Sequence, residues 1–422
     1  MSAEVIVTPT TGAEELAQVY RWLHAHPELS NQETRTAEVV AESLTALGYE
    51  VTSGVGGTGV VGLLRRGEGP TVLLRADMDG LPVTESTGLP YASTQRGIDP
   101  DGTEVGVMHA CGHDVHVTCL LAAAAQLAAD TSWTGTLMLV GQPAEELGTG
   151  ALDMVNDGLF ERFGRPDVVL GQHVAPLPAG FLGLHPGPAF ASSDALKVTL
   201  FGSGGHGSRP EACIDPIVMA AAVVLRLQTI VSREVPGADS AVVTVGTLHA
   251  GTKMNIIPDQ AVLEVNVRTY NDKVRARVLA SIERIIKAEA LASGAPREPE
   301  IVYTTPLPLL FNDLDGSART ADALRQVVGE RLIDPGPVTG SEDVGHFATA
   351  AGAPCVYWIL GGADPTLFSQ AGTAAEMIRV MDTIPSNHSS GYAPVIEPTL
   401  NIGAAALVAA AKQWLGTSAN PS

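Results

Sequence analysis

The chain has 422 residues, and its 45% hydrophobic content suits a large buried core, in two domains or in one domain carrying an insertion. Its 46 acidic and 25 basic residues give a net charge of -21, which argues against nucleic acid or any other polyanion as partner. No basic-then-apolar leader opens it, stretches such as "CLLAAAAQLAA" fall short of the ~20 residues that span a bilayer, and Cys111, Cys119, Cys213 and Cys355 form no CxxC, so a cytoplasmic protein with reduced thiols and no membrane partner is expected.

Helical apolar spacing runs through "AEELAQVYRWLHAHPEL" and "TRTAEVVAESLTALGYE". "GVVGLLRRG" and "PTVLLRADMDG" read as strands around a Gly-rich turn. "VHVTCLLAAAAQLAAD" predicts a helix beginning near Val115. "GTLMLVGQPAEE" and "PDVVLGQHVAP" each predict an apolar strand running into polar residues. Strands alternating with helices indicate an α/β domain with a mostly parallel sheet, whose functional groups gather past the strand C-termini. Asp77, Asp79, Glu145, Glu146 and His173 all follow strands in this way.

From about 187 the order changes to strand, helix, strand, strand, helix, strand, ending at "PEIVYTTPL". That is the ferredoxin-like order. The expected organisation is a discontinuous domain, 1–186 and 308–422, with an inserted domain at 187–307. The first domain resumes with "SARTADALRQVVGERL", "PCVYWILGG" and "TLNIGAAALVAAAKQWL", and the tail "GTSANPS" is expected to fray.

Two motif matches are decoys. "GVGGTG" satisfies GxGxxG but is followed by a strand rather than a helix, so a plain turn is expected. "GTLHAGTK" lacks the Gly-Lys-Thr order of a phosphate loop.

"MHACGHDVH" places His109, Cys111, His113 and His116 within nine residues of a chain that has 11 His and 4 Cys. Cys and His suit a borderline cation such as zinc. Taken alone, the segment is equally a helix N-terminal loop with polar histidines. "QPAEE" supplies the paired carboxylates Glu145 and Glu146, which repel unless a cation or a proton separates their roles. Glu146 is then the ligand, and Glu145 the base that takes a proton from water and returns it to a leaving amine. Asp77 and Asp79 could ligate, orient a ligand or cap a turn. His173 and His388, each alone, read as ordinary histidines.

Together, "HAHPELS", "LRADMDGLPV", "MHACGHDVH", "QPAEE", "QHVAP", "GGHGSRP", "MNIIPDQAVLEVNVRTY", "GSEDVGHF" and "NHSSGYAP" resemble the M20 metallopeptidases, in their amidohydrolase branch. The resemblance covers nearly the whole chain. It implies two divalent cations, Zn2+ or Mn2+, held by Cys111, His113, Glu146, His173 and His388, with Glu145 as general base and Asp79 behind the metals. It implies a lid domain in which His206 stabilises the oxyanion and Asn255 and Arg268 hold a substrate carboxylate. It also implies a homodimer through that domain, with His206 serving either its own or the partner's site. The expected reaction is hydrolysis of N-acyl amino acids to a carboxylic acid and an amino acid. "DGLP" departs from the more usual "DALP", and the acidic residues that many relatives place after "NHSSGYAP" are absent. The rival readings are a hydrolase with Cys111 as thiol nucleophile and a non-catalytic homologue.

Overall fold

The computed structural model describes residues 5–304 and 306–418. The chain divides into two compact units. The first comprises 1–189, 311–336 and 343–422; the second comprises 190–310 and 337–342. The short segment 337–342 joins the second unit although no local pattern in the sequence marks it.

In the first unit, helices α1 (Ala13–Ala25) and α2 (Thr34–Ala46) each bury one face. A hairpin follows, β1 (Glu50–Val55) and β2 (Gly59–Arg66); Gly54 lies in β1, Gly56 and Gly57 lie in the turn, and a strand rather than a helix comes next. Strand β3 (Thr71–Asp77) is buried almost throughout, as a strand covered on both faces must be. Helix α3 (His113–Ala129) is apolar all round and almost wholly enclosed. Strands β4 (Trp133–Gln142) and β5 (Val168–Pro178) are equally buried, and the short β6 (Leu182–Gly183) follows.

The second unit contains β7 (Ser192–Phe201), the short β8 (Gly205–His206) and helix α4 (Pro216–Arg233). It continues with β9 (Ala241–Ala250), the short β10 (Ile256–Ile257), β11 (Gln260–Thr269), helix α5 (Asp272–Ala292) and β12 (Glu300–Tyr303). Four strands form one antiparallel sheet in the order β9-β11-β7-β12, which is the ferredoxin-like arrangement. Helix α4 is long and apolar enough to cross a membrane by length and composition. Its Met219, Ala220, Val223, Leu227 and Ile230 are nevertheless buried in the core that this sheet covers. Thr305, inside the strand expected at 299–307, lies outside the described residues.

The chain then adds α6 (Leu314–Val328), β13 (Leu332–Ile333), β14 (Cys355–Ala363), α7 (Thr399–Trp414) and β15 (Gly416–Thr417) to the first unit. The large sheet has the order β1-β2-β4-β3-β5-β14-β6-β13. It is parallel from β4 through β3 and β5 to β14 and antiparallel at the β1 edge.

Three local expectations are corrected. The helix after the Cys/His cluster begins at His113, not near Val115, because Gly112 at φ 83° turns the chain and lets helix follow at once. His173 lies inside β5 rather than at its end, since β14 continues to pair with it there. The tail does not fray at its start: Gly416 and Thr417 pair with Thr134 and Trp133, at the open end of β4. Residues 419–422 of that tail lie outside the described residues.

Candidate functional site

The first unit brings its chemistry to the C-terminal side of β3, β4 and β5. Beneath lies Arg75 on β3, fully buried and held by Asp77 (2.6 Å), Gln142 (2.7 Å) and Asp343 (3.1 Å). A buried guanidinium is tolerated only with such partners. Burial pushes the Asp77 carboxyl up, but Arg75, His113 and His116 more than reverse that, so it stays ionised.

Gly112 separates Cys111 from His113. A Cβ there would lie 2.3 Å from Val174 Cγ1, so glycine is needed for space as well as for its positive φ. His113 Nδ1 lies 3.1 Å from Asp79 Oδ1, an acceptor that favours the proton on Nδ1 and directs the Nε2 lone pair outward. His173 is held alike, with Nδ1 donating to the Val174 carbonyl at 2.8 Å and Nε2 3.5 Å from Cys111 Sγ. His388, at φ 69°, places Nε2 3.4 Å from Glu146 Oε2, and its N–H donates to the Ala110 carbonyl.

The five expected ligands therefore converge as two groups. Cys111, His113 and His173 form one; Cys111, Glu146 and His388 form the other. Within each group the donor atoms lie within 4.8 Å of one another. Donors about 2.0–2.3 Å from a tetrahedral ion sit about 3.3–3.8 Å apart, a range that includes Cys111 Sγ to His173 Nε2 at 3.5 Å and His388 Nε2 to Glu146 Oε2 at 3.4 Å. His113 Nε2 and Glu146 Oε1 are buried with no hydrogen-bond partner among the described residues, as atoms reserved for a cation would be. His116 differs. Its Nδ1 bonds Asp77 and its Nε2 accepts the Val174 N–H at 2.8 Å, so both nitrogens are committed.

Asp79 belongs to neither ligand group. Its oxygens accept from His113 Nδ1, from the Ser30 hydroxyl at 2.7 Å and from the Glu146 N–H at 3.0 Å. Burial pushes its carboxyl up, and these bonds bring it back below the usual range. Glu145 is buried, with Oε2 3.8 Å from His113 Nε2. Burial pushes the Cys111 thiol up and Glu146 adds to this, the opposite of what an activated thiol nucleophile requires.

Sequence reasoning missed Glu33, Ser30, Arg75, Asp343 and Asn387. Asn387 donates to the Cys111 and Val174 carbonyls (3.2 and 3.1 Å), tying the loop of His388 to the segments of Cys111 and His173. Only its place beside His388 could have flagged it.

In the second unit, His206 pairs with Ile256, and the Gly207 N–H bonds the Asn255 carbonyl at 2.8 Å, so His206 and Asn255 are neighbours. The Ser208 N–H donates to His206 Nδ1 at 3.1 Å. An N–H can only donate, so the ring proton sits on Nε2. Arg268 lies near the other end of β11, bonded to Asn266, the Thr339 carbonyl and Ser341. At about 3.3 Å per residue, the length of β11 puts it about 25 Å from the His206 end.

The family described as peptidase family M20/M25/M40 matches residues 73–387. The hippurate hydrolase of Campylobacter jejuni is 40% identical over 337 residues, 79% of this chain and 85% of that protein. The N-acetyl-L-cysteine deacetylase of Bacillus subtilis is 36% identical over 344 residues, 81% of this chain and 79% of that protein. Among solved structures, the YXEP protein of Bacillus subtilis, a dinuclear metal-binding peptidase, superimposes with a TM-score of 0.74 at 28% identity, covering 94% of this chain and 97% of the other.

Proposed function

The chain belongs to peptidase family M20/M25/M40, and from that premise we propose that it is a metal-dependent amidohydrolase that cuts N-acyl amino acids to a carboxylic acid and a free amino acid. One observation carries this reading: Cys111 is common to the groups Cys111–His113–His173 and Cys111–Glu146–His388, and the buried Glu145 stands beside them with Oε2 3.8 Å from His113 Nε2. Relatives named for hippurate and for N-acetyl-L-cysteine support the substrate class, since each name denotes an N-acyl amino acid.

Cys111, His113 and His173 would hold one divalent cation, and Cys111, Glu146 and His388 a second. Zinc suits this thiolate, imidazole and carboxylate set, and manganese is the other ion proposed. When bound, the cations polarise the amide carbonyl and lower the pKa of water toward ~7. Glu145 takes the proton from the attacking water and delivers it to the amide nitrogen, so that an amine rather than an amide anion leaves. Asp79 keeps His113 in the tautomer that faces the site. His206, with its proton on Nε2, donates to the developing oxyanion, a contribution of about 3 kcal/mol. Arg268 offers a planar cation to the free carboxylate of the substrate, with Asn255 as a second polar contact.

His206 with Asn255 and Arg268 lie farther apart than the length of an N-acyl amino acid, so one substrate does not touch both from a single chain. We therefore assign His206 and Asn255 to the partner's active site in a homodimer. β9 is an edge strand of its sheet, and the neighbouring α4 exposes Val218 and Leu225, two features suited to pairing with a second copy.

The test is a panel of N-acyl amino acids presented to cation-free protein reloaded with zinc or with manganese. Release of free amino acid that depends on the added ion is expected. Turnover that survives chelation and stops on thiol alkylation would favour the Cys111 nucleophile instead.

A further inference from the structure

The proposed reaction needs Glu145 aimed at the scissile amide, and the turn that aims it is unusual. Ala144 has φ 47°, the left-handed region that costs an L-residue roughly 1–2 kcal/mol and that glycine enters freely. Its N–H donates to Glu33 Oε1 at 2.8 Å, from a residue 111 positions away in sequence. The same oxygen accepts the N–H of Asn31, which also has a positive φ, 64°. Oε2 accepts the Thr58 hydroxyl at 2.5 Å. Among the described residues only Asn31, Ala144 and His388 are non-glycines with positive φ, and one fully buried carboxylate holds two of the three.

The turn is pinned beyond Glu145 as well. Asp79 accepts the Glu146 N–H, and a Cβ at Gly150 would lie 1.6 Å from the Pro143 carbonyl, so the loop closes tightly on its own start. Glu145 therefore stands between two carboxylate clamps. The hairpin turn within "GVGGTG" contributes Thr58 to the first of them.

We propose that Glu33 is a positioning residue for Glu145: its carboxylate holds Ala144 in the left-handed conformation and thereby sets the direction of the base. Glu33 acts through the backbone and through Thr58, not on substrate. The proposal rests on the reading of Glu145 as general base.

The test compares Glu33→Ala and Glu33→Gln as zinc-loaded full-length protein, reading kcat, KM, metal content and Tm with an N-acetyl amino acid. For Glu33→Ala, kcat falls by about tenfold or more while KM and metal content stay within about twofold, as expected for a misaimed catalytic group. Glu33→Gln recovers most of the loss, because its carbonyl oxygen accepts both N–H groups and its amide donates to Thr58. In a Glu145→Gln background, Glu33→Ala causes no further loss. If Glu33→Ala fails to fold, Thr58→Val takes its place, with a severalfold fall in kcat at unchanged metal content. A folded Glu33→Ala with normal kcat and only a lowered Tm overturns the proposal, as does normal kcat in Thr58→Val or no recovery in Glu33→Gln. Those results leave the base assignment standing as long as Glu145→Gln is inactive; an active Glu145→Gln overturns both.

Discussion

His113 Nε2 faces Glu146 Oε1 across 3.8 Å, and neither atom has a hydrogen-bond partner among the described residues. Leaving such atoms buried and unpaired costs about 1–3 kcal/mol each, so each suits a cation of its own group, His113 with Cys111 and His173, Glu146 with Cys111 and His388. His116 shows what a structural histidine looks like in the same helix: its ring is stacked 5.4 Å from that of His113, yet both its nitrogens are taken up by protein groups.

Because Cys111 belongs to both ligand groups, it differs from the ligands that belong to one. Cys111→Ala is expected to lower the content of both ions, whereas His388→Ala loses about one equivalent and keeps the other. Metal analysis of the purified variants decides this. Unchanged occupancy in Cys111→Ala would remove the residue from the ligand set.

Glu145→Gln tests whether metal binding and proton transfer belong to different carboxylates. Glu145→Gln keeps the shape of the side chain and removes its basicity, so metal content is preserved while kcat falls by about 10²–10⁴. Substantial retained turnover would mean that another group carries the proton.

The placement of His206 in the short β8–β10 pair and of Arg268 near the far end of β11 makes a subunit experiment informative. His206→Ala and Glu145→Gln proteins are each inactive alone, and mixed dimers are expected to recover activity, because one of the two sites in each dimer then holds both intact residues. Recovery is read after subunit exchange has been verified with differently tagged chains. No recovery would place His206 in its own chain's site.

His24 provides a pH test away from the ligands. Burial pushes its imidazolium pKa down, but hydrogen bonds to Asp114 (2.7 Å) and Glu85 (3.0 Å) more than reverse this and raise it from 6.5 to about 10. A pKa raised in the folded state means stability that is fully present below 6.5 and is lost as pH rises through about 10. His24→Gln should therefore lower Tm at pH 6, and its difference from wild type should shrink steadily toward pH 10. A difference that does not change with pH would show that the ring is held as a neutral group.

Much of the fold was legible because the signals are local. Period-2 and period-3.6 patterns mark a strand or helix wherever they occur, and the β-α-β-β-α-β order of the second unit could be read without any contact information. Glu145 and Glu146 were legible because adjacent carboxylates after an apolar strand pose an electrostatic problem visible in the sequence. Arg268, by contrast, is singled out only through resemblance, since an arginine on a strand carries no local signal of its own.

The apolar pattern places the start of α3 near Val115, whereas Gly112 lets it begin at His113. A residue at φ 83° reverses the chain in one step, so the two side chains converge although the second is already helical. The pairing of Gly416 and Thr417 with β4 was missed for a different reason: an open strand end recruits a neighbour through backbone groups, which leave no trace in composition.

The amino-acid sequence by itself determined which segments become strands and helices, and it placed a thiol, imidazoles and paired acids at their ends. Tertiary structure decided which nitrogen of each histidine faces the site, gave Asp79 its partners His113, Ser30 and the Glu146 N–H, and gave Glu33 its two backbone partners. The reason is physical. Secondary structure follows from neighbours a few residues apart, whereas a hydrogen-bond partner such as that of Glu33 and Ala144 is met only when β4 and the start of α2 have been brought together by the folded core.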